Sequence, residues 1–252
     1  MGISRLSSIK INKRGLNVFT PPTQTFSQLL SSIPPWAKYS GANYNNNTLP
    51  DDSGNGRHAT CSGVYNSSTI NNGGSPTIPL PICKGNANAT IIFPVGSIPS
   101  GDYTIAFITR YAGSSNNRVL CGHAGQNFIL GHHSAKGGVL YDGTKWDTAI
   151  NINTGSPINN ITGSIPNWLS MCVVSNGTNV ADNIIVNGVP KAVLSITPIN
   201  TINQLGINTS SYLEKSSFEL SQLLIFDRAL TPIQVKVITD AFSNYLISGI
   251  LQ

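Results

Sequence analysis

The sequence predicts an all-β protein: a two-sheet antiparallel jelly-roll sandwich with one short C-terminal helix and an extended N-terminal arm. Only 10% of the 252 residues are charged, whereas solvent-facing helices usually carry many Glu and Lys. Asn, Ser, Thr and Gly take their place, and these residues suit turns and half-exposed strands. Short runs rich in Ile and Val recur between such turns from Trp36 onward, which is typical of sandwiches and jelly rolls.

Three segments carry the clearest strand patterns. Residues 103–110 alternate in polarity, which places Tyr103 and Ile105 on one face of a strand. Residues 168–174 are apolar at nearly every position, and this predicts a central strand that is buried on both faces. Residues 218–226 predict the last strand of the series.

Asn187-Gly188 separates two β-prone runs, residues 181–186 and the segment that begins at Val189. A type I′ turn needs positive φ at both central residues, and Asn followed by Gly meets that need at low energetic cost. The pair therefore predicts a tight hairpin between two neighbouring antiparallel strands.

Residues 231–246 carry the signals of a helix. Thr231 is a favourable N-cap, Pro232 suits the first helical position, and Gln234 completes a capping box. The apolar residues that follow recur at helical spacing. We expect a short amphipathic helix that packs on the sandwich.

The net charge of +5 is concentrated near the N terminus, because residues 1–50 contain no acidic residue and the rest of the chain is formally neutral. We predict a basic arm over residues 1–34, ending in a segment bracketed by proline pairs, and a sandwich over residues 35–252. Without interleaved aromatic residues the arm is not expected to bind nucleic acid. It is predicted to dock on neighbouring proteins through Arg5, Lys10, Lys13 and Arg14.

The sequence predicts neither a membrane span nor a secretory signal. No stretch approaches the roughly 20 consecutive apolar residues that a spanning helix needs, and the first residues lack an apolar core. The cysteines show no Cys-x-x-Cys spacing, and Cys121 and Cys172 lie within apolar runs. Free, buried thiols are therefore favoured over disulfides.

Three segments in a fixed order indicate a family. Residues 49–60 have the sequence Leu-Pro-Asp-Asp-Ser-Gly-Asn-Gly-Arg-His-Ala-Thr, residues 168–188 place a Trp-led apolar run before the Asn-Gly hairpin, and residues 219–230 end in Ile-Phe-Asp-Arg-Ala-Leu before the helix. Together they resemble the laminin-G-like branch of the concanavalin A-like lectin/glucanase superfamily. The resemblance covers about residues 36–247 and implies a concanavalin A-like sandwich.

Residues 34–40, Pro-Pro-Trp-Ala-Lys-Tyr-Ser, together with the Asp-Ser-Gly-Asn-Gly turn, also resemble laminin-G-like proteins encoded by large DNA viruses of algae and protists. Such proteins are found among virion structural and surface components. The resemblance implies a non-enzymatic structural or attachment module of a larger assembly, a minor capsid or virion surface protein anchored by its arm. The alternative is a lectin-like module that recognises a cell-surface glycan, and a polysaccharide-degrading enzyme is the third hypothesis.

The carboxylates do not follow a glycosidase pattern, and we predict no enzyme activity. Glycosidases of this superfamily carry carboxylates at alternating positions of a strand, and a retaining pair lies about 5 Å apart. Glu214 and Glu219 are separated by an odd number of positions, as are Asp142 and Asp147, so each pair would face opposite sides of a regular strand. No lyase motif accompanies the candidate bases, which are Tyr141, His132, His133 and Lys136.

A zinc site is conceivable at Cys121 and His123, which would share a strand face, if a hairpin returned His132 or His133 beside them. Adjacent histidines on a strand point to opposite faces, so at most one of them would join. Histidines that are hydrogen-bonded in a polar groove are the simpler interpretation, and we predict no cofactor.

Calcium is a second candidate ligand, because Asp52 and Asn55 lie in a turn that offers oxygen atoms. The interpretation we favour is that these side chains make Asx-type hydrogen bonds to their own turn, with Gly54 and Gly56 at positive φ.

Aromatic side chains in polar loops are candidates for glycan binding. A ring can stack on the apolar face of a sugar while Asn, Asp and backbone groups bind its hydroxyls. Tyr111, Tyr141 and Trp146 lie in or near loops rich in Asn and Gly, and we predict that they contact a glycan. Packing of the loops themselves is the alternative role.

Overall fold

The computed structural model describes residues 24–69, 79–113, 117–141, 168–175, 183–192 and 203–252. These segments form two antiparallel β-sheets packed face to face, with two α-helices on the outer side of the larger sheet. The predicted all-β sandwich with a C-terminal helix is confirmed.

The larger sheet has eight strands: β1 Ala37–Ser40, β4 Tyr65–Thr69, β5 Leu80–Gly85, β7 Tyr103–Tyr111, β11 Leu169–Ser175, β12 Ile184–Val186, β13 Val189–Ala192 and β15 Phe218–Phe226. Seven of them follow the order β13-β12-β11-β7-β15-β5-β4, and β1 pairs with the second half of β15.

The smaller sheet has seven strands: β2 Thr48–Leu49, β3 Ala59–Ser62, β6 Thr90–Ile92, β8 Leu120–Gly122, β9 Ile129–His133, β10 Lys136–Tyr141 and β14 Leu205–Ile207. Their order is β10-β9-β8-β14-β6-β3-β2. A 3-10 helix, Gly41–Asn43, follows β1.

Alternate residues of facing strands form the main core between the sheets. On β7, Tyr103, Ile105 and Phe107 point into this core, whereas Ala106 and Ile108 face the helices. The predicted alternation is therefore confirmed. Each fully buried large apolar side chain contributes about 1.5–3 kcal/mol, so this layer dominates the stability of the fold.

The two helices cover the outer side of the larger sheet. They are α1 Phe26–Ser32 and α2 Pro232–Ser248. In α2 the predicted capping box is present, because the Thr231 side chain accepts from the N–H of Gln234, and Pro232 occupies the first turn. Ile238 and Phe242 of α2 are buried against the sheet.

The central strand and the hairpin predicted from the sequence are also confirmed. β11 is buried along its whole length and pairs with β7 on one side and β12 on the other. The turn between β12 and β13 has φ of 50° at Asn187 and 75° at Gly188, as a type I′ turn requires.

The predicted N-terminal arm is described only from Gln24, so Arg5, Lys10, Lys13 and Arg14 lie outside the described residues. Phe26 and Leu29 of α1 are buried against α2 and the sheet. The helix α1 thus belongs to the helical layer of the sandwich. The boundary at residue 34 and the docking role of the arm remain predictions.

The sandwich has two ends, which carry different loops. We call the upper end the one where β7 finishes at Tyr111 and β15 begins at Phe218, which are paired in register. The β9–β10 turn and the segment between β14 and β15 lie there as well, and the turn after β2 lies at the lower end.

All four cysteines are buried and free. Neither helix among the described residues has the length and apolarity needed to cross a bilayer.

Candidate functional site

The segment between β14 and β15, which we call the 208–217 loop, folds back over the outer side of the smaller sheet. The N–H of Ala124 donates to the carbonyl of Thr209 (3.1 Å), and the N–H of Ser211 donates to the carbonyl of Ala124 (3.0 Å). This close packing depends on Gly206, because a Cβ built there would lie 1.8 Å from Oγ1 of Thr209.

Asn208 ties the two ends of the 208–217 loop together. Its φ is 57°, a left-handed conformation that Asn adopts more readily than most residues. Its buried Nδ2 donates to the carbonyls of Ala89 (2.9 Å) and Ser216 (2.8 Å), and its Oδ1 accepts from the N–H of Ser216 (2.8 Å). The loop therefore has a defined shape.

Five side chains, which we call the Arg118 cluster, meet where this loop crosses the sheet. Arg118 donates through Nε to Oε2 of Glu214 and through Nη1 to Oδ1 of Asn127 (2.8 Å). Nε2 of His133 lies 3.3 Å from Oε1 of Glu214. The guanidinium carbon of Arg118 lies 4.8 Å from the ring centroid of Tyr212. The cluster thus joins the segments that precede β8 and β9, the end of β9 and the 208–217 loop.

Exposure increases outward through the cluster. The Arg118 side chain is 6% exposed, that of Glu214 is 35% exposed, and Tyr212 is 46% exposed. Arg118 therefore forms the floor, and Tyr212 and Glu214 are presented to solvent.

The carboxylate of Glu214 is held in its charged form. Burial alone would raise its pKa, but the hydrogen bond with His133 and the positive charge of Arg118 outweigh burial and keep the pKa below its ordinary value. At neutral pH the carboxylate is ionised, and the adjacent guanidinium balances its charge.

The arrangement suits recognition of a polyhydroxylated ligand. One face of the Tyr212 ring packs on Arg118, and its 46% exposure leaves the ring open to solvent on its other side. A charged carboxylate beside an open ring can accept hydrogen bonds from hydroxyls while the ring contacts C–H groups. Asn127 uses its oxygen for Arg118, which leaves its amide donors for a ligand.

His132 and His133 are adjacent on β9 and point to opposite sides, as expected for a strand. His132 faces inward, is 1% exposed, packs edge-on against Tyr111 with ring centroids 4.7 Å apart, and has Nδ1 3.4 Å from Oγ1 of Thr109. Tyr111 is fully buried as well, and its hydroxyl donates to the carbonyl of Asn117 (2.5 Å). A buried ring presents no face to a sugar, so Tyr111 is not part of the Arg118 cluster.

The buried His132 makes the fold sensitive to acid. Burial lowers the pKa of His132 to about 3, against about 6.5 in an unfolded chain. Below pH 6.5 the unfolded chain binds a proton that the folded chain excludes, so stability falls as the pH drops from about 6.5 toward 3, by up to about 1.4 kcal/mol per pH unit.

We expect urea unfolding of the wild-type chain to show this loss between pH 6.5 and 5, a range above the ordinary pKa values of the carboxyl groups. His132→Gln should be less stable at pH 7 but should lose less stability over the same interval. Equal slopes for the two chains would contradict the assignment.

The other predicted glycan contacts lie elsewhere or outside the described residues. Tyr141 ends β10 and is half-buried. It pairs in register with Ile129, at the opposite end of the β9–β10 hairpin from His133. Trp146 lies outside the described residues. Their role in glycan binding stays a prediction.

The turn considered for calcium is organised by Asp51. Its Oδ1 accepts from the N–H groups of Lys38 and Ser53 (both 2.9 Å), and its Oδ2 accepts from the hydroxyl of Ser53 (2.8 Å) and the N–H of Arg57 (2.9 Å). Burial would raise the pKa of Asp51, but these hydrogen bonds lower it below its ordinary value. The carboxylate is therefore saturated by donors of its own turn and of β1.

Asp52 and Asn55, the predicted calcium ligands, are also engaged. Oδ2 of Asp52 accepts from Nδ2 of Asn43 (2.7 Å), and Nδ2 of Asn55 donates to the carbonyl of Trp36 (3.0 Å). Gly54 and Gly56 have φ of 89° and 69°, as predicted. The side chain that makes the Asx-type hydrogen bonds to this turn, however, is that of Asp51 and not that of Asp52 or Asn55.

Cys121, one of the residues considered for zinc, and Glu219 are both buried. Cys121 is buried, with Sγ 3.4 Å from the carbonyl of Gly206, and no three metal-binding side chains lie together in the part of the chain that the structure describes. Glu219 accepts from Nε of Arg110 at 2.5 Å, with side chains 8% and 1% exposed. This pair is enclosed on the outer side of the larger sheet.

The architecture has known counterparts among solved structures. A Trypanosoma rangeli sialidase in complex with the inhibitor DANA is similar, with a TM-score of 0.57 and 11% identity, over 84% of this chain and 33% of the sialidase chain. Domain 4 of AbnA, a GH43 extracellular arabinanase from Geobacillus stearothermophilus in complex with arabinotriose, has a TM-score of 0.52 and 18% identity, over 79% of this chain and 95% of that domain. No family model and no curated protein sequence matches this chain.

At these identities the likeness shows the fold alone, a β-sandwich consistent with the concanavalin A-like type. The chain spans about a third (33%) of the length of the sialidase chain. Neither structure is laminin-G-like or viral by its description, so the narrower branch and a viral origin gain no support from them.

Proposed function

We propose that this chain is a carbohydrate-binding module and that the Arg118 cluster is its binding site. The observation that carries the proposal is the position of Tyr212, an exposed ring backed by a buried guanidinium and flanked by the ionised carboxylate of Glu214. An aromatic platform beside convergent polar groups is the arrangement that sugar recognition requires.

In the proposed complex a sugar ring lies on the open face of Tyr212. Its hydroxyls donate to the carboxylate of Glu214 and accept from the amide of Asn127. The floor is preorganised, because Arg118 is fixed by three side chains before any ligand arrives, so little conformational entropy is lost on binding.

The structural neighbours support this proposal at the level of the fold. The arabinanase domain is described in complex with arabinotriose, and the sialidase is described with an inhibitor. A fold alone does not fix a function, so the weight of the proposal rests on the Arg118 cluster.

We propose binding without catalysis. Hydrolysis by a pair of carboxylates needs a second acid within about 5–10 Å of the first, and the groups bonded to Glu214 are a guanidinium and an imidazole. The nearest acidic residue along the chain, Glu219, is enclosed with Arg110. Turnover of any glycan, lost on Glu214→Gln, would overturn this part of the proposal.

A glycan array provides the direct test. Tyr212→Ala should weaken binding to the glycans recognised by the wild-type chain by about tenfold or more, corresponding to about 1.4 kcal/mol, because the stacking platform is removed. Tyr65→Ala is the matched control, since Tyr65 is 52% exposed but lies on β4, in the other sheet. A loss on Trp146→Ala with none on Tyr212→Ala would place the site elsewhere.

A second proposal concerns the N-terminal arm. Its four cations and the absence of acidic residues in the first 50 positions favour a structural or attachment role in which residues 1–34 dock on neighbouring proteins, and the resemblance to virus-encoded proteins makes a virion the proposed assembly. Such anchoring is compatible with glycan binding. Because α1 is part of the packed body, the test is a chain lacking residues 2–20, which should fold but fail to assemble.

A further inference from the structure

The lower end of the sandwich carries an arginine that is held in a fixed orientation. The guanidinium of Arg57 lies over the ring of Trp36, with its carbon 3.4 Å from the ring centroid. The ring is itself held in place, because it packs against the main core and its Nε1 donates to the carbonyl of Gly96 (2.9 Å). Stacking on an aromatic face orients the plane of a guanidinium and leaves the donors at its edge for hydrogen bonds.

The charge of this guanidinium is not balanced within the described part of the chain. There the Arg57 side chain has no hydrogen-bond or ion-pair partner, and its Nε is buried. The backbone of Arg57, in contrast, is bonded: its N–H donates to Oδ2 of Asp51 (2.9 Å), and its carbonyl accepts from the hydroxyl of Tyr39 (2.6 Å). The carboxylate of Asp51 is already saturated. Because an arginine stays protonated at neutral pH, a full positive charge remains at this position.

Space for a ligand lies beside Nη1 of Arg57. The adjacent turn is closed by the N–H of Ser97, which donates to the carbonyl of Pro94 (2.9 Å). Among the described residues, and apart from the two chain neighbours of Gly96, the only atom within 4 Å of a Cβ built on Gly96 is Nη1 of Arg57, at 3.9 Å. Nη1 is therefore open on the side of this turn. Val95 in the same turn is 68% exposed, so an apolar side chain borders the open space.

We infer that Arg57, Trp36 and Val95 form a docking surface, the Arg57 patch, for a protein that presents a carboxylate side chain next to an apolar one. A carboxylate matches the planar donor fork of a guanidinium and binds it through two parallel hydrogen bonds. Arg and Trp are among the residue types that contribute most to binding at protein interfaces. The inference is independent of glycan binding, because the Arg118 cluster lies at the opposite end of the sandwich.

The position of the Arg57 patch favours a protein as the partner. Trp36 lies two residues beyond the predicted docking arm, residues 1–34. Nδ2 of Asn55 donates to the carbonyls of Pro35 (3.2 Å) and Trp36 (3.0 Å), so the segment that follows the arm is bonded to the same turn that carries Arg57. A neighbouring protein held by the arm would therefore be within reach of the patch, and the upper end would stay free for a glycan.

NMR titration of the full, isotope-labelled chain tests the inference with two capped tripeptides, Leu-Glu-Leu and Leu-Gln-Leu. The peptides differ only in the charge of the central side chain, and the signal of the Trp36 indole N–H reports binding. At about 50 mM NaCl the Glu peptide should bind at least about fivefold more tightly than the Gln peptide, and most of this preference should be lost at about 500 mM, because salt screens the charges.

Three substitutions locate the contact. Arg57→Gln should abolish the preference for the Glu peptide, and Arg57→Lys should keep less than half of it, because an ammonium lacks the planar donor fork. Val95→Glu should also abolish it, since it places a carboxylate of the chain itself beside the guanidinium, and the exposed position of Val95 leaves the fold intact. Arg228→Gln is the control, because Arg228 lies at the same end, is 53% exposed and pairs with Asp227.

Several results would overturn the inference: equal binding of the two peptides, no change at the Trp36 indole, or a preference that survives Arg57→Gln. Tighter binding of a dinucleoside monophosphate, which carries the same single negative charge as the Glu peptide, would make the Arg57 patch a nucleic-acid contact and would also contradict it. Each of these results leaves the carbohydrate site unaffected, because that site is tested separately at Tyr212.

Discussion

Replacing Glu219 with Gln is expected to destabilise the fold by about 3–5 kcal/mol, because it removes the carboxylate from a buried, hydrogen-bonded ion pair. Nε of Arg110 donates to Oε2 of Glu219 at 2.5 Å, and the two side chains are 1% and 8% exposed. The guanidinium also lies 4.6 Å from the ring centroid of Trp168. Arg110 is on β7, Glu219 is on β15 and Trp168 directly precedes β11, so the pair lies on the central strands of the larger sheet.

Urea unfolding measures this loss, and Asp240→Asn is the control. Lys236 and Asp240 form an exposed pair on α2, which should be worth only about 0.3–0.5 kcal/mol. The double replacement Arg110→Met, Glu219→Leu should recover much of the stability, because no buried charge then remains. A cost below 1 kcal/mol for Glu219→Gln would mean that the pair is not enclosed in solution.

Replacing Asn208 with Ala is expected to cost about 3 kcal/mol and to release the 208–217 loop. The variant removes one buried acceptor and the donors that satisfy the carbonyls of Ala89 and Ser216, and each unsatisfied group costs about 1–3 kcal/mol. It also forces Ala to adopt a φ of 57°. This left-handed conformation costs residues other than Gly and Asn about 1–2 kcal/mol.

Two further variants separate these causes. Asn208→Gly keeps the backbone conformation and loses the hydrogen bonds, so it should cost less than Asn208→Ala and still release the loop. Asn66→Gly is the control, because Asn66 is exposed and donates to the carbonyl of Tyr44. Hydrogen exchange at residues 209–216 should rise in both Asn208 variants and not in the control, and unchanged protection would show that Asn208 does not hold the loop.

Local patterns were sufficient to predict the architecture. The capping box at Thr231 and Gln234, the Asn187-Gly188 turn and the apolar strand β11 each depend on residues that are close in sequence. Such signals survive tertiary packing, because the same local geometry is optimal in the folded chain. The helix α1 lies within the predicted arm, where its own capping residue, Thr25, was a usable signal.

The candidate site could not be predicted in the same way, because it depends on contacts between distant segments. Arg118 and Glu214 are 96 residues apart, and His133 and Glu214 are 81 apart. The odd spacing of Glu214 and Glu219 predicts that the two carboxylates face opposite sides of a strand, but it does not reveal that an arginine binds each of them. Those partners follow from strand order and from the fold of the 208–217 loop.

The position of Tyr111 followed from a pattern already visible in the sequence. Tyr103 and Ile105 face the core, and an odd-numbered residue further along the same regular strand faces the same way. Tyr111 is accordingly buried, although it is next to a polar loop. No alternation of this kind in the sequence predicts whether Tyr212 is buried or exposed. Its exposure results from the folding back of the loop that carries it.

The central claim is that Tyr212, Glu214 and their neighbours bind a sugar. Amide and side-chain chemical shifts of the isotope-labelled chain, recorded while an array-selected oligosaccharide is added, test it most directly. We expect the changes to centre on Arg118, Asn127, His133 and residues 209–215, and we expect Tyr212→Ala to remove them at the same ligand concentration. Changes confined to the turn at Asp51 or to α2, with none at the 208–217 loop, would contradict it.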